Sequence, residues 1–296
     1  MKKTINYFLT CASLLALLII AGCSKSKDAL PAIDGYNNSN EVAAANLIAH
    51  WSFDASNNEE ISGTPPTKTF GTVGTATGQI SKALSLTKGA LVFPAITKLN
   101  TANALNNFTV SLWVNVKGRK DVDGGFTAFF GLIPTGATDI WGDVMALAET
   151  GRHKAVSDTL ELKNLLNTHP AGGGNSLQDN VAQVANGKGA WFMGGNKWAH
   201  YVARWDGTTH QFFIYGNGVS VGAYTDRGTT GVEIMSVPVQ AVFGSLASKD
   251  LGFTGAPAQQ TWNPWATALI DDVRVFNTAL ADKDIAALYD LGKAGR

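Results

Sequence analysis

Two short segments of the chain combine indole side chains with amide or carboxylate groups. Trp262-Asn263-Pro264-Trp265 places two tryptophans around a stiff proline with an amide beside them, and Asp139-Ile140-Trp141-Gly142-Asp143 flanks an indole with carboxylates. Sugar rings stack their C–H faces on aromatic side chains, while their hydroxyl groups need amide or carboxyl partners. Trp191 also lies in a segment that is predicted to be a loop. The candidate carbohydrate-binding residues are therefore Trp141, Trp191, Trp262, Asn263 and Trp265.

These indoles also have a purely structural interpretation. A large aromatic side chain in a loop of a β domain often closes the end of the sandwich or lies under a long loop, where it buries apolar area. The sequence leaves both interpretations open for the loop tryptophans. The remaining four lie within strand patterns and are expected to pack in or over the core: Trp51, Trp113, Trp198 and Trp205.

Asp54 and Asp271 are candidate ligands for a structural Ca²⁺ ion. Asp54 directly follows the first predicted strand, and Asp271 lies at the start of the last one. If these two strands run antiparallel side by side, the exit of the first meets the entry of the last. Two carboxylates and nearby loop carbonyls make the hard-oxygen site that Ca²⁺ prefers. The alternative is that each carboxylate caps a turn or pairs with Arg274 or Lys68.

The acidic residues show no spacing that is typical of a hydrolase. Glycoside hydrolysis ordinarily needs two carboxyl groups about 5 to 9 Å apart, which would occupy alternate positions on a strand. Glu59 and Glu60 are adjacent and would point apart, and Glu149 and Glu161 stand alone. No nucleophile elbow, His-Glu-x-x-His motif or phosphate-binding loop is present in the sequence. We expect a binding domain rather than an enzyme, although carboxylates from distant strands could converge in a hydrolase or lyase.

The segments that carry these residues are predicted to be β-strands. Phe108 to Val116 alternates without a break, which is the pattern of a half-buried strand. Asp206-Gly207 and Asn217-Gly218 are hairpin turns, and Asp282 to Leu291 has the spacing of a short amphipathic helix. Further strands are predicted at Leu47 to Phe53, Ala90 to Phe93, Trp198 to Trp205, Gln211 to Tyr215 and Leu269 to Phe276. The sequence therefore predicts an all-β antiparallel sandwich with a short C-terminal helix.

The charge composition gives no support to one class of partner, nucleic acid. The chain has 296 residues, with 23 Lys and Arg against 23 Asp and Glu, so its formal net charge is zero. Nucleic-acid binding needs clustered cations to neutralise phosphates, and this balance does not support it. With 45% hydrophobic residues and 32 glycines, the composition favours a compact fold that is rich in turns.

The N-terminal segment resembles a bacterial lipoprotein signal. Lys2 and Lys3 precede an apolar run that is too short to span a bilayer, and Ile20-Ala21-Gly22-Cys23 resembles a lipobox. We expect residues 1–22 to be removed and Cys23 to be acylated, which would anchor the chain in the outer membrane with its orientation undetermined. The alternative is an ordinary cleaved signal with a chance cysteine. Residues 23–45 are predicted to be a flexible tether and residues 46–296 the domain, with a long insertion at 135–190.

Five segments together are similar to one known family. They are His50-Trp51-Ser52-Phe53-Asp54, Gly78 to Leu86, Phe108 to Val116, Trp198 to Gly207, and Ile270 to Leu280 followed by Ala287-Leu288-Tyr289. Their types and order resemble the bacterial laminin-G-like branch of the concanavalin A-like lectin/glucanase superfamily. The resemblance covers residues 46–296 except 135–190.

The resemblance implies a jelly roll of two curved antiparallel sheets whose first and last strands lie side by side. Domains of this family mostly bind glycans or act as contact modules, and some bind Ca²⁺. With the residues above, it leads us to expect a non-catalytic carbohydrate-binding lipoprotein of the cell envelope that captures polysaccharide or oligosaccharide. Its other partner would be the membrane, through the lipid anchor, and we expect no nucleic-acid partner. The alternative is a protein-contact or adhesion module on the same fold.

Overall fold

The computed structural model describes residues 30–120, 125–170, 176–182, 192–222 and 233–296. The candidate residues Cys23 and Trp191 lie outside these ranges, so their predicted roles stay predictions. The strands are β1 (Leu47–Trp51), β2 (Lys68–Thr77), β3 (Lys82–Ala95), β4 (Phe108–Val116), β5 (Thr127–Pro134), β6 (Val144–Ala148), β7 (Leu162–Pro170), β8 (Ser176–Val181), β9 (Ala199–Asp206), β10 (Gln211–Gly216), β11 (Val219–Ser220), β12 (Glu233–Ile234), β13 (Val239–Phe243) and β14 (Ala266–Phe276), and helix α1 (Asp282–Lys293) follows.

The strands form one curled antiparallel sheet. Their order is β11-β10-β9-β4-β14-β3-β13-β5-β6-β7-β12, with β1 on β14, β2 on β3 and β8 on β7. The two halves of the sheet pack face to face, and the hydroxyl of Tyr201 in β9 donates to the carbonyl of Lys163 in β7 over 2.8 Å. The predicted all-β jelly-roll class with a short C-terminal helix is confirmed. The two predicted sheets are two halves of one continuous hydrogen-bonded sheet.

Aromatic side chains fill the space between the two halves. The Trp51 indole is fully buried, and its ring centroid lies 5.5 Å from Phe93, 5.6 Å from Phe130 and 5.3 Å from Phe243. These side chains come from β1, β3, β5 and β13, so one indole joins four strands. Edge-on and tilted ring pairs of this kind stabilise a core beyond the area that they bury.

The first and last strands lie side by side, as predicted. Leu47 pairs with Phe276 and Trp51 with Val273 in an antiparallel ladder. Strand β14 also pairs with β4, and this ladder shifts register between Asp271 and Arg274. Asp272 has a φ of 45° at this bulge, a left-handed conformation that aspartate tolerates better than most residues. The Asp272 carboxylate is buried and accepts hydrogen bonds from Nε of Arg274.

The described part of the long segment 135–190 extends the sheet. Strands β6, β7 and β8 add to β5 one after another, each antiparallel to its neighbour. Val144, Ala146 and Ala148 alternate towards the main core. These strands lengthen one half of the sheet.

The described second half of the predicted tether is folded onto the domain. The Tyr36 hydroxyl donates to the Asp284 carboxylate over 2.9 Å, and Arg274 Nη1 donates to Oδ1 of Asn40 over 2.9 Å. Val42 is only 1% exposed, in a cluster with apolar residues of α1.

The compact unit therefore spans Ile33–Arg296 and begins before the boundary at residue 46 that the sequence suggests. Most residues of this segment are polar, so the few isolated apolar residues that pack on the domain do not stand out in the sequence. Across the described ranges, every helix is too short or too polar to traverse a bilayer.

Candidate functional site

The connection between β13 and β14, residues 244–265, covers the outer face of one half of the sheet. Side chains alternate along a strand, so β6 sends Val144, Ala146 and Ala148 to the core and Met145 and Leu147 to the opposite face. This opposite face is also apolar and needs a cover. The connection supplies it with a second cluster of buried side chains: Leu246, Ala247, Leu251, Phe253 and Ala256.

Three half-buried aromatic rings form a cluster at the margin of this cover. The Trp262 ring lies 5.5 Å from Phe126 and 6.3 Å from Trp141, and Phe126 and Trp141 are 6.4 Å apart. The backbone N–H of Phe126 donates to the Trp262 carbonyl over 3.1 Å. Gly125, with φ of 99°, allows this approach, because a Cβ there would overlap the same carbonyl oxygen. The structure thus brings together two predicted tryptophans from distant segments.

Trp265 lies apart from that cluster, on the wall of a groove. One side of the indole contacts Phe70 of β2, with ring centroids 5.2 Å apart. Its Nε1 donates a hydrogen bond to Oε1 of Gln259 over 3.1 Å. Strand β14 begins at the next residue, so the backbone on this side is also held in the sheet.

The groove has a volume of about 820 Å³, and most of its lining surface is apolar, with polar and charged groups placed around it. The described residues that line it and that carry polar or charged side chains are Lys88, Lys117, Arg119, Thr127, Asp250, Gln259, Gln260, Thr261 and Thr267. Lys88 comes from β3, and Lys117 and Arg119 follow the end of β4. Asp250 lies in the single-turn helix Lys249–Leu251. We call this feature the Trp265 groove.

Arg119 joins the Trp265 groove to the aromatic cluster. Its Nη2 donates to the Phe126 carbonyl over 2.6 Å, and its Nε donates to Oγ1 of Thr150 over 3.1 Å. Thr150 Oγ1 in turn hydrogen-bonds to Oγ1 of Thr127 over 2.7 Å. The guanidinium is therefore fixed in position.

Asn263 is buried beneath the loop and does not line the groove. It is 2% exposed, its backbone N–H donates to the Gln260 carbonyl over 3.1 Å, and its own carbonyl accepts from Nε2 of Gln259. These contacts hold the backbone between the two tryptophans. Of the sequence candidates, the structure therefore places Trp265 on the groove, Trp141 and Trp262 in the aromatic cluster, and Asn263 under the loop.

Glu149 and Glu161, which stand alone in the sequence, lie together in the structure. Leu162 pairs with Ala148 across β6 and β7, so the residues next to them are opposite each other. Arg152 lies within 2.7 Å of Glu149 and 3.3 Å of Glu161, and Lys163 Nζ lies 3.3 Å from Glu149. Lys163 also lies 4.3 Å from the centre of the Phe126 ring.

This cluster is an ion-pair network. Burial raises the pKa of Glu161, while Arg152 opposes the rise, and the nearby charge of Glu149 adds to it. Glu161 is 1% exposed and Glu149 is 7% exposed, so both carboxylates are closed off from a polymer substrate. Sequence reasoning missed their proximity because it depends on the register of two strands.

Asp54 and Asp271 both hold the turn before β3. The backbone N–H of Ile80 donates to Oδ2 of Asp271 over 2.8 Å, and that of Lys82 donates to Oδ1 of Asp54 over 2.9 Å. Burial raises the pKa of Asp271 to about 7, and the charges of Asp272 and Asp54 add to the rise. The contacts of the described residues are those of the turn-capping alternative that the sequence left open.

Comparisons with known proteins bear on the fold alone. The sequence matches no protein-family model and no curated protein. Domain 4 of AbnA, a GH43 extracellular arabinanase from Geobacillus stearothermophilus that was solved in complex with arabinotriose, superposes with a TM-score of 0.52 at 20% identity, over 82% of this chain and 98% of that one.

Two toxin domains are also similar in structure. The binding domain of Paraclostridial Mosquitocidal Protein 1 has a TM-score of 0.53 at 15% identity, over 83% of this chain and 52% of that one. The botulinum neurotoxin serotype D ligand binding domain in complex with N-acetylneuraminic acid has a TM-score of 0.51 at 12% identity, over 83% and 52%. The chain thus spans about half of each toxin domain. These neighbours agree with the β-sandwich architecture.

Proposed function

We propose that this chain is a carbohydrate-binding domain that holds a segment of polysaccharide or oligosaccharide in the Trp265 groove without cleaving it. The observation that carries the proposal is the Trp265 indole, held between Phe70 and Gln259 on the wall of a groove of about 820 Å³. This volume lies in the range of ligand sites. An indole face with amides and charged groups beside it is the combination that sugar rings need.

Two of the structural neighbours support this proposal. The arabinanase domain was solved with arabinotriose and the serotype D toxin domain with N-acetylneuraminic acid, so this fold carries saccharide sites in other proteins. The motifs from His50 to Tyr289 favour the laminin-G-like branch of the fold. A non-catalytic role is supported by Glu149 and Glu161, since both are buried and paired with Arg152.

We place the domain on a lipid anchor at Cys23, as a lipoprotein of the outer membrane that captures polysaccharide. The support is the sequence alone: basic residues, a short apolar run and Ile20-Ala21-Gly22-Cys23. Replacement of Cys23 by alanine should move the protein from the membrane fraction to the soluble fraction. Retention of Cys23→Ala in the membrane fraction would contradict the anchor.

We also propose Ca²⁺ at Asp54 and Asp271, completed by backbone carbonyls. The fit rests on Asp271, whose Oδ1 is buried without a hydrogen-bond partner and whose carboxylate lies near two other aspartates. Among the described residues, no group of three or more acidic, histidine or cysteine side chains converges on one point, so carbonyl oxygens would supply the remaining ligands.

Calcium binding is tested by thermal unfolding with CaCl₂ and with chelator. Ca²⁺ should raise the Tm of the wild-type chain and leave the Tm of Asp271→Asn unchanged, since ligands that bind the folded state stabilise it. Asp250→Asn is the matched control and should respond as the wild type does. The same Tm with and without chelator would contradict the metal site.

Affinity electrophoresis tests the carbohydrate proposal. The full-length chain in detergent is run through gels that contain one member of a panel of neutral and acidic polysaccharides. We expect retardation by at least one polysaccharide, loss of retardation in Trp265→Ala, and full retardation in Leu177→Ala, a control at an exposed apolar residue outside the groove lining. The absence of retardation across the panel would contradict the proposal, and shortening of the polysaccharide would favour an enzyme.

A further inference from the structure

The Trp265 groove concentrates positive charge on a chain whose formal net charge is zero. Its described lining includes the cations Lys88, Lys117 and Arg119 against the single carboxylate of Asp250. Asp250 Oδ2 already accepts a hydrogen bond from the Gln259 backbone over 2.6 Å. The excess positive charge therefore lies in the groove that is also lined by the Trp265 indole.

The two lysines of this groove differ from three other cations of the domain, whose side chains are at most 13% exposed. Lys163, Arg204 and Arg274 each form ion pairs with carboxylates. Lys88 and Lys117 are exposed, and neither ammonium group pairs with a carboxylate of the described residues. Their charges remain available for a bound ligand.

We propose, building on the proposed function, that the Trp265 groove selects acidic glycans, whose sugar rings carry carboxylate or sulfate groups. A ring stacked on the Trp265 indole would place its anionic group beside Lys88 and Lys117. The fixed guanidinium of Arg119 adds to the positive potential of the same wall. Charge-assisted contacts are stronger than neutral hydrogen bonds, and a cleft lined by one sign of charge attracts ligands of the opposite sign.

Nucleic acid is a less suitable occupant of the same charges. Binding a nucleic-acid backbone requires neutralisation of successive phosphates along a strand, with aromatic rings for successive bases. The described groove lining offers one indole and a short group of cations. Single-stranded DNA is therefore the competitor in the test and not the proposed ligand.

Matched pairs of polysaccharides separate charge from sugar identity. Polygalacturonate is compared with its methyl ester, which lacks the carboxylate charges, and dextran sulfate with dextran. Binding of the full-length chain in detergent is measured as a Kd at low and high salt. The acidic member of at least one pair should bind about tenfold more tightly, a difference of about 1.4 kcal/mol, and should weaken as salt screens the charges.

Two double variants locate the effect. Lys88→Gln with Lys117→Gln should remove about tenfold of affinity for the acidic polysaccharide and change binding of its neutral partner less than about twofold. The control is the double variant Lys98→Gln with Lys283→Gln, which loses the same number of positive charges at positions outside the groove lining. It should bind the acidic polysaccharide as tightly as the wild type does. A preference for carboxylate or for sulfate identifies which acidic group is selected.

Three results would overturn the inference. Equal affinity for the acidic and neutral members of both pairs would refute acidic selection while the proposed carbohydrate function stands. Displacement of the acidic glycan by single-stranded DNA at lower concentration would reassign the groove to nucleic acid. The absence of binding to every polysaccharide would refute the inference together with the function on which it rests.

Discussion

The indole Nε1 of Trp265 donates its hydrogen to Oε1 of Gln259 across 3.1 Å. The Gln259 side chain makes two further hydrogen bonds. Its Oε1 also accepts from the Ser245 hydroxyl over 3.2 Å, and its Nε2 donates to the Asn263 carbonyl. Gln259 is therefore a positioning residue for the indole. Together with Phe70, it determines which face of Trp265 lines the groove.

Replacement of Gln259 by alanine should loosen Trp265 and weaken glycan binding. We expect a rise in Kd of about three- to tenfold, which corresponds to about 1 kcal/mol, because the lost hydrogen bond is worth about that much. Gln79→Ala is the matched control, since Gln79 donates to the carbonyl of Gly292 outside the groove lining. Wild-type affinity in Gln259→Ala would show that the indole does not need this support.

Asp143 makes stability depend on pH. Burial raises the pKa of Asp143 to about 8, with a further rise from Asp139 and a counteracting backbone hydrogen bond from Ser236. A carboxyl group whose pKa is higher in the folded state than in the unfolded state contributes to the stability of the folded state. This contribution is complete at pH values below the unfolded pKa, which is 3.8 for Asp143. That contribution is lost as pH rises towards 8, because the buried group must ionise.

Asp143→Asn should abolish this dependence, because the amide is neutral at every pH. The difference in free energy of unfolding between the variant and the wild type should therefore increase in favour of the variant by about 2 to 4 kcal/mol from pH 5 to pH 8. Urea unfolding at both pH values measures the difference. Parallel pH profiles for the two proteins would contradict the assignment.

Lys163 compensates buried negative charge. Its ammonium lies 3.3 Å from Glu149 and 2.8 Å from Asp179, and its side chain is 6% exposed. Lys163→Met should lower the free energy of unfolding by about 1 to 3 kcal/mol, because Glu149 then keeps only Arg152 as a cationic partner and Asp179 loses its ion pair with Lys163. The double variant Lys163→Met with Glu149→Gln should recover part of the lost stability. Equal free energies of unfolding for the single and the double variant would contradict the ion pair between Lys163 and Glu149.

The N-terminal segment from Ile33 should contribute to the stability of the domain. A chain that begins at Asn46 loses the contact of Asn40 with Arg274 and exposes the partners of Val42. Its free energy of unfolding should be about 2 to 4 kcal/mol lower than that of a chain beginning at Leu30. Equal Tm values for the two chains would show that the segment is dispensable.

The core of the fold could be predicted because its patterns are local. Strict alternation in Phe108 to Val116 and the motifs around His50 and Ile270 predict strands and their order. By contrast, Leu162–Pro170 carries Lys163, Asn164 and Asn167 at buried positions, which weakens its alternation. Ile33, Tyr36 and Val42 are isolated in a polar segment, so their packing on α1 leaves no periodic signal.

The candidate site could be predicted only in part, for the same reason. The indole of Trp265 was visible in its segment because tryptophan, amide and proline are adjacent. Lys88, Lys117 and Asp250 belong to segments far apart in the chain, and only the packing of β3, β4 and the loop 244–265 brings them to one groove. The burial of Asn263 likewise depends on loop contacts that the sequence does not show.

The indole N–H resonance of Trp265 offers the most direct test that the groove binds saccharide. The resonance is assigned in a ¹H–¹⁵N spectrum by its absence in Trp265→Phe, and a polysaccharide fragment that retards the chain is then titrated. We predict a saturating shift of the Trp265 signal and no shift of the buried Trp51 signal. Saturable binding of the fragment that leaves the Trp265 signal unchanged would contradict the account.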